Sequence, residues 1–299
     1  MRVFLYDEQT CPALRVEALA EEVARLTGAV AEVRDEFVRD GLGRTHGSAP
    51  THDRGSCRGG PMGPPLTTTT DGLARALAKA RVVDPMHRLQ PAREPMPAEI
   101  AAEQRVLETP GKASLGILYD GAVVQWLMAE LLDAGSAGTL AGSGGIPNLH
   151  VILTARLLGT FVPDDRRWHA HTVLLGNPAL VSTTGLVQAP ARPKEYYQGQ
   201  GLATSRLAPM EVVQAELQQR LADRMLLPDD PRIISAAVGC ALQAVAFHLT
   251  GEAFCLEPTC RLFNARRQEE LVRSQCSPEA GLCARHQALF AGMQRAADE

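Results

Sequence analysis

The spacing of apolar and polar residues over the first 37 positions predicts a strand, a helix and a second strand. The stretch RVFLY (2–6) has the alternating and apolar residues of a strand. Residues 12–28 form an amphipathic pattern of helical period, and Gly28 stands where a helix C-cap would. The stretch AVAEVRDEF (29–37) fits another strand. The chain is therefore predicted to open as a βαβ unit.

The second half of the chain alternates in the same way between strand and helix patterns. Strands are predicted at 113–121, 171–176 and 179–187 and at the start of 149–161, with a turn at Asn177 and Pro178. Helices are predicted at 122–135 and 208–226, and loops at 136–147 and 189–199. These patterns predict an α+β fold with a mixed β-sheet and packed helices.

The element that the sequence predicts most clearly is a helix at 231–250. Asp229 or Asp230 is a suitable N-cap, and Pro231 suits the first turn. The following residues are apolar on nearly every side of the helix, and Gly251 supplies its end. Such a helix is expected to lie in the core of a single domain spanning residues 1–292.

Residues 40–72 are rich in Gly, Pro, Thr and Arg. A segment of this composition buries too little apolar surface to offset its ordering entropy, so it is predicted to be a disordered insertion. His46, His52 and Cys57 fall inside it and are interpreted as solvated loop residues.

Charge and apolar run length limit the partners of the chain. Its formal charge is −4 over 299 residues, which argues against a nucleic-acid binder, since that function needs a basic face. The apolar runs are judged too short to span a bilayer, and the charged N-terminus lacks the apolar stretch of a signal peptide. A cytoplasmic protein that binds neither nucleic acid nor membrane is expected.

The expected cytoplasmic location bears on whether the cysteines form disulfides or bind metal. Cys11, Cys57 and Cys240 are scattered, whereas Cys255, Cys260, Cys276 and Cys283 fall within 29 residues, with His286 just after them. Reducing compartments disfavour structural disulfides, so clustered cysteines there more often bind metal or react.

One stretch of this region resembles the archaemetzincin family of zinc metallopeptidases. The resemblance covers roughly residues 240–286. His248 matches the second histidine of that family's zinc-binding helix, and Gly251 matches its turn glycine. Cys255 and Cys260 match the first cysteine pair, Leu262 stands where methionine is usual, and Cys283 and His286 resemble the closing pair with histidine in place of cysteine. The resemblance implies a metzincin-like fold with a C-terminal structural zinc segment, in which residues 231–286 comprise the core helix and the zinc-binding segment.

The catalytic half of that motif is missing. Ala244 stands at the first zinc histidine, Val245 at the catalytic glutamate and Phe254 at the third histidine. A zinc hydrolase needs about three protein ligands and a general base, and these side chains offer neither. His248 is then best interpreted as an ordinary histidine near the end of a buried helix.

The structural half of the motif is retained. Cys255, Cys260, Cys283 and His286 would supply three thiolates and one imidazole to a structural Zn²⁺. His286 is preferred to Cys276 as the fourth ligand because Cys283 and His286 would lie one helical turn apart. Four zinc-binding cysteines including Cys276, or buried thiols that bind no metal, are the alternatives.

Two classes of function follow. The first is a zinc-stabilised protein without catalysis, which would bind an unknown small molecule or peptide. The second is a divergent metal-dependent hydrolase with a rebuilt site, for example from His169, His171 and His248. The polar turn at 182–185 could contact a ligand, but it lacks the context of a phosphate-binding loop.

Overall fold

Parallel strands form the centre of the molecule in the computed structural model, which describes residues 1–8, 14–34, 69–91, 93–109, 116–135, 148–204 and 209–298. In chain order the strands of these ranges are β1 (Arg2–Asp7), β2 (Val30–Arg34), β3 (Leu118–Asp120), β4 (Leu149–Thr154), β5 (Leu157–Val162), β6 (Arg167–His171), β7 (Val173–Leu174) and β8 (Ala179–Ser182). The helices are α1 (Val16–Thr27), α2 (Thr70–Lys79), α3 (Pro97–Glu108), α4 (Gly121–Gly135), α5 (Thr183–Gln188), α6 (Lys194–Thr204), α7 (Met210–Arg220), α8 (Ile233–Thr250), α9 (Gln268–Cys276) and α10 (Ala284–Asp298).

The larger sheet has the order β2-β1-β4-β8-β7. Its first four strands are parallel, and β7 pairs antiparallel with β8. The predicted βαβ opening is confirmed, because β1 pairs in parallel with β2 and α1 connects them. Gly28 ends α1 with a φ of 72°, a left-handed conformation that favours glycine. A smaller sheet has the order β3-β5-β6, with β3 parallel and β6 antiparallel to β5.

Both faces of the larger sheet are covered by apolar side chains. On one face Val3, Val151 and Val181 pack into a core shared with α1 and α8. On the other face Ile152 and Leu180 pack into a second core shared with α2 and α4. Cover on both sides of a parallel sheet explains why its central strands β4 and β8 are nearly continuous apolar runs. The predicted α+β fold with a mixed sheet and packed helices is therefore confirmed.

The helix expected in the core is present as α8. It ends at Gly251, whose φ is 76°, as the sequence predicts. Its beginning differs from the prediction, because Arg232 is the N-cap residue and makes no side-chain capping bond. Asp230 Oδ1 instead accepts the backbone N–H of Arg232, at 2.9 Å, so the carboxylate braces the turn that precedes the helix.

The prediction that every apolar run is too short to span a membrane is wrong for α8. Its 18 residues are long and apolar enough to cross a bilayer by length and composition. In this fold 67% of the helix is buried inside the protein. Core helices of globular proteins reach the same apolar content, because they are covered on all sides.

Several predicted boundaries are wrong. The strand predicted at 179–187 ends at Ser182, where the Ser182 hydroxyl accepts the N–H of Gly185 at 2.8 Å and starts α5. The predicted loop at 189–199 contains the beginning of α6, and the apolar run at 149–161 is divided into β4 and β5. Residues 40–68 of the predicted insertion lie outside the described residues. Its last residues are helical, because the Thr69 hydroxyl caps α2.

Close packing between α8 and α9 gives a first test of the fold. A methyl group at Gly239 would lie 2.0 Å from Gln275 Oε1, and Gln275 is buried with its amide donating to the Arg261 carbonyl at 2.8 Å. Gly239→Ala should therefore displace this amide and lower the free energy of unfolding by about 1–3 kcal/mol, as measured by urea denaturation.

The matched control is Gly201→Ala. Gly201 lies in α6, and no described atom stands within 4 Å of a methyl group placed there. This substitution should be neutral or stabilise the protein by up to about 1 kcal/mol, since alanine favours helix interiors over glycine. Equal effects of the two substitutions would contradict the tight α8–α9 contact.

Candidate metal centre

The first half of the site is a tight loop that follows α8. The backbone N–H of Cys255 donates to the Leu262 carbonyl at 2.9 Å, which brings the two ends of the loop together. At the turn, the N–H of Cys260 donates to Glu257, and the N–H of Phe263 donates back to the Cys260 carbonyl. These bonds place the two cysteine side chains near each other on a short, well-bonded loop.

The second half of the site is the beginning of α10. Gly281 pairs with the first loop, since it accepts the N–H of Arg261 at 2.8 Å and donates to the Thr259 carbonyl at 3.1 Å. Cys283 immediately precedes α10, and its carbonyl accepts the N–H of His286 at 3.0 Å. The predicted spacing of one helical turn therefore puts Cys283 and His286 on the side of the helix that faces the loop.

The four predicted ligand side chains converge. One donor atom from each of Cys255, Cys260, Cys283 and His286 lies within 4.8 Å of the other three. The Cys255 and Cys283 sulfurs are 3.7 Å apart. His286 Nδ1 lies 3.5 Å from the Cys260 sulfur and 3.0 Å from the Cys283 sulfur. Three sulfurs and one imidazole nitrogen thus surround a single point, which is a donor set suited to a soft divalent metal.

The surroundings of the cluster shift the pKa values of two of its thiols in opposite directions. Burial raises the pKa of Cys260 to about 12. Burial also acts to raise the pKa of Cys283, but the N–H of His286 and the neighbouring cysteine thiols outweigh it and hold that pKa below its usual value. Burial lowers the pKa of His286, and the nearby positive charge of Arg285 lowers it further. A neutral imidazole is the form that binds a metal.

Buried polar side chains that the sequence analysis did not identify hold the spacer between the two halves. Arg261 donates to the Ser235 hydroxyl at 2.6 Å, and that hydroxyl donates to the Gln275 carbonyl at 2.6 Å. Gln268 Nε2 donates to the Leu186 carbonyl at 2.7 Å. Glutamine and arginine in a charged helical stretch are typical of a solvated face, so the pattern gave no sign of their burial.

Cys276 lies outside the cluster. It ends α9, its sulfur is 3.9 Å from the carbonyl of Arg232 at the start of α8, and burial raises its pKa to about 11. Its position is that of an ordinary half-buried thiol. Cys240 is fully buried, and burial raises its pKa to about 12. Cys11 and Cys57 fall in the parts of the chain that are not described.

The three histidines considered for a rebuilt site have other surroundings. His169 pairs with Asp165 at 2.8 Å, and His171 Nε2 is 2.7 Å from the Thr160 hydroxyl. Both lie on β6 of the smaller sheet, whereas His248 lies near the end of α8. Over the described ranges, the Cys/His cluster is the only group of three or more His, Cys, Asp or Glu donors placed to hold one ion.

The three positions that the archaemetzincin resemblance aligns with two zinc histidines and the catalytic glutamate are apolar. Ala244 and Val245 are buried in α8, and Phe254 is partly exposed just before Cys255. None of these side chains has a lone pair to bind a metal or accept a proton.

Comparison with known proteins gives one family and one distant structure. A family model described as a family of unknown function, DUF7001, matches residues 4–289. No curated protein matches the chain. A zinc-dependent peptidase from Methanocorpusculum labreanum has a similar solved structure, at a TM-score of 0.40 and 13% identity, over 97% of this chain and 100% of that one. Similarity at this level transfers neither a site nor an activity.

Proposed function

Since the chain belongs to the DUF7001 family of unknown function, its function has to be argued from its own residues, and we propose that it is a zinc-binding protein without peptidase activity. In this proposal Cys255, Cys260, Cys283 and His286 hold one structural Zn²⁺. The protein belongs in the cytoplasm and binds a small molecule or peptide rather than nucleic acid or membrane.

The convergence of the four side chains carries this proposal. Ligands of a tetrahedral zinc at about 2.3 Å for sulfur and 2.0–2.1 Å for nitrogen stand roughly 3.5–3.8 Å from one another. The separations of 3.7 Å between Cys255 and Cys283 and of 3.5 Å between Cys260 and His286 have these values. The distance of 3.0 Å between His286 Nδ1 and the Cys283 sulfur is shorter, so these two atoms would move apart when zinc binds.

The structural role is supported by the number of protein ligands. Four protein donors close a tetrahedral zinc, whereas catalytic zinc keeps one position for water or substrate. The ion would connect the loop after α8 to the first turn of α10, and so would hold the C-terminal helix in place.

The absence of peptidase activity is supported by the apolar residues in α8. The resemblance to archaemetzincins places the water-activating machinery at Ala244, Val245 and His248, and only the last of these could bind a metal. A single histidine does not hold a catalytic zinc. We therefore propose a divergent relative of zinc metallopeptidases that keeps the structural zinc segment and lacks the chemistry.

Metal content tests this function. Protein purified without chelator should contain one zinc per chain by elemental analysis, and the zinc-loaded protein should not cleave a peptide library above background. Two zinc ions per chain, with cleavage that a chelator stops and His248→Ala abolishes, would instead establish a rebuilt catalytic site. No bound metal in zinc-supplemented protein would refute the proposal altogether.

A further inference from the structure

The four side chains of the Cys/His cluster differ in their access to water. Cys260 is 1% exposed, His286 is 3% exposed and Cys255 is 7% exposed, so all three are buried. Cys283, by contrast, is half-buried. A small solute in the surrounding water would therefore meet the sulfur of Cys283 before any other donor atom of the cluster.

Cys255 supplies a second sulfur beside that of Cys283. The two sulfurs are 3.7 Å apart, although the residues are 28 positions apart in the chain. The residue after Cys255, Leu256, is 94% exposed, whereas the residue after Cys260, Arg261, is buried. Cys255 is therefore the more accessible of the two sulfurs on the loop after α8.

The separation of the two sulfurs suits a change from metal binding to covalent bonding. Ligands of one zinc ion stand about 3.7 Å apart, and the sulfurs of a disulfide are joined at about 2.05 Å. A change of side-chain rotamer moves a cysteine sulfur by up to about 3 Å, which is more than this difference. Cys283 has room for such a change, since it is half-buried and lies just before the first residue of α10.

We propose that Cys255 and Cys283 form a reversible oxidation site, at which hydrogen peroxide joins the two sulfurs in a disulfide and thereby expels the zinc. The inference rests on the proposed zinc site and adds to it a response to peroxide. Cys283 is the residue that peroxide attacks, and Cys255 is the residue that completes the disulfide.

The oxidation proceeds in two steps with a balanced count of atoms and electrons. The Cys283 thiolate attacks one oxygen of hydrogen peroxide, so that an S–O bond forms, the O–O bond breaks and hydroxide leaves, to be protonated to water. The Cys255 thiolate then attacks the Cys283 sulfur, so that the S–S bond forms, the S–O bond breaks and a second hydroxide leaves, to be protonated to water. The two thiolates lose two electrons in all, and the peroxide gains them.

The disulfide removes two of the four metal ligands. Cys260 and His286 remain, and they are too few to hold a structural zinc, which takes four protein donors. The new bond nevertheless joins the same two pieces of chain as the ion, namely the loop after α8 and the start of α10. Oxidation should therefore release the zinc and keep α10 attached, whereas a chelator leaves neither zinc nor disulfide between them.

Among the described residues, the remaining cysteines are not placed to take part. Cys240 is fully buried, and Cys276 lies against the Arg232 carbonyl. Disulfides that form in a reducing compartment are usually transient or redox-sensing rather than structural. A disulfide that forms only in the presence of peroxide agrees with the cytoplasmic location proposed for the protein.

Peroxide treatment of full-length zinc-loaded protein tests the site. A small excess of hydrogen peroxide should release the zinc to a colorimetric indicator, and peptide mapping by mass spectrometry should find a disulfide between Cys255 and Cys283. A dithiol reductant with added zinc should restore the metal. The oxidised protein should melt several degrees above the chelator-treated, reduced protein, because the disulfide still constrains the unfolded chain.

Two further measurements assign the roles of the cysteines. With dimedone present during oxidation, the sulfenic acid should be trapped at Cys283 rather than at Cys255 or Cys260. The control variant is Cys276→Ser, which lies outside the cluster and should release zinc at the rate of the wild type. The wild-type experiment decides the proposal by itself, so it does not depend on a variant that loses a metal ligand.

The proposal is overturned if the zinc stays bound in peroxide. It is also overturned if the zinc leaves while the sulfurs are oxidised to sulfinic acid, or while the disulfide contains Cys260 or Cys276. Each of these results would leave the zinc site itself intact. The zinc content of the untreated protein is measured first, and its absence would refute the proposed function and this inference together.

Discussion

Cys255→Ser and Cys283→Ser are each expected to lose zinc and a large share of the folding free energy together. Structural zinc binding to a site of this kind contributes about 10–16 kcal/mol, and removing one thiolate sacrifices enough of it to cost several kcal/mol of stability. Cys255 lies on the loop after α8 and Cys283 at the start of α10, so either substitution disconnects the two halves. Zinc content and urea denaturation on the same preparations measure the two effects.

The matched control is Cys276→Ser. Cys276 is also a cysteine of the C-terminal segment, but its sulfur lies against the Arg232 carbonyl rather than in the cluster. The substitution should retain zinc and cost about 1 kcal/mol or less, the ordinary effect of a changed side chain outside a functional site. If Cys276→Ser strips the zinc and His286→Ala does not, the ligands are four cysteines. If the wild-type protein is equally stable in chelator, the cluster is a group of buried thiols.

Gly185→Ala is expected to lower the free energy of unfolding by about 2–4 kcal/mol, although alanine is the better helix former. A methyl group there would lie 2.2 Å from the His171 carbonyl oxygen and 2.9 Å from Ser182 Oγ. The carbonyl belongs to the backbone and cannot rotate away, so β6 and α5 would have to separate. The same displacement would strain the Ser182 hydroxyl, which caps α5 and donates to the Arg156 carbonyl.

Gly292→Ala in α10 provides the comparison for Gly185→Ala. Among the described residues nothing lies within 4 Å of a methyl group at Gly292, so this substitution should leave the urea midpoint unchanged or raise it. A Gly185→Ala protein that is as stable as the wild type would mean that β6 and α5 are not in direct contact.

The candidate metal centre could be predicted from the sequence because its information is local. Cys255 and Cys260 are five residues apart and Cys283 and His286 three apart, so each pair is positioned by one turn of chain. Helix α8 could be predicted from the sequence for the same reason, since its mostly apolar residues continue up to Gly251. The only contact of this centre that the sequence does not reveal is the one between the loop after α8 and the first turn of α10.

The rest of the architecture depends on contacts that no short stretch of sequence records. Glu8 and Arg156 are 148 positions apart in the chain. From the sequence alone each would be expected on the solvated surface, and only the meeting of the ends of β1 and β4 buries them against each other. The boundary at Ser182 was missed for a related reason. Residues 179–187 are all apolar or small, and the change from strand to helix is marked by the hydrogen bond that the Gly185 N–H donates to the Ser182 hydroxyl.

The position of α10 gives the Cys/His cluster an influence beyond its own loop. Phe290 of α10 is fully buried in the core that contains α1 and α8, and a side chain at Gly28 would meet Gln294. Bound zinc would fasten α10 at its first turn, and terminal segments are the ones that open most readily without such a link. Loss of the cluster would therefore release this unit first and expose the flank of α1 while the central sheet stays folded. Under slow chelation, amide hydrogen exchange would spread inward from the C-terminal helix rather than begin in the strands.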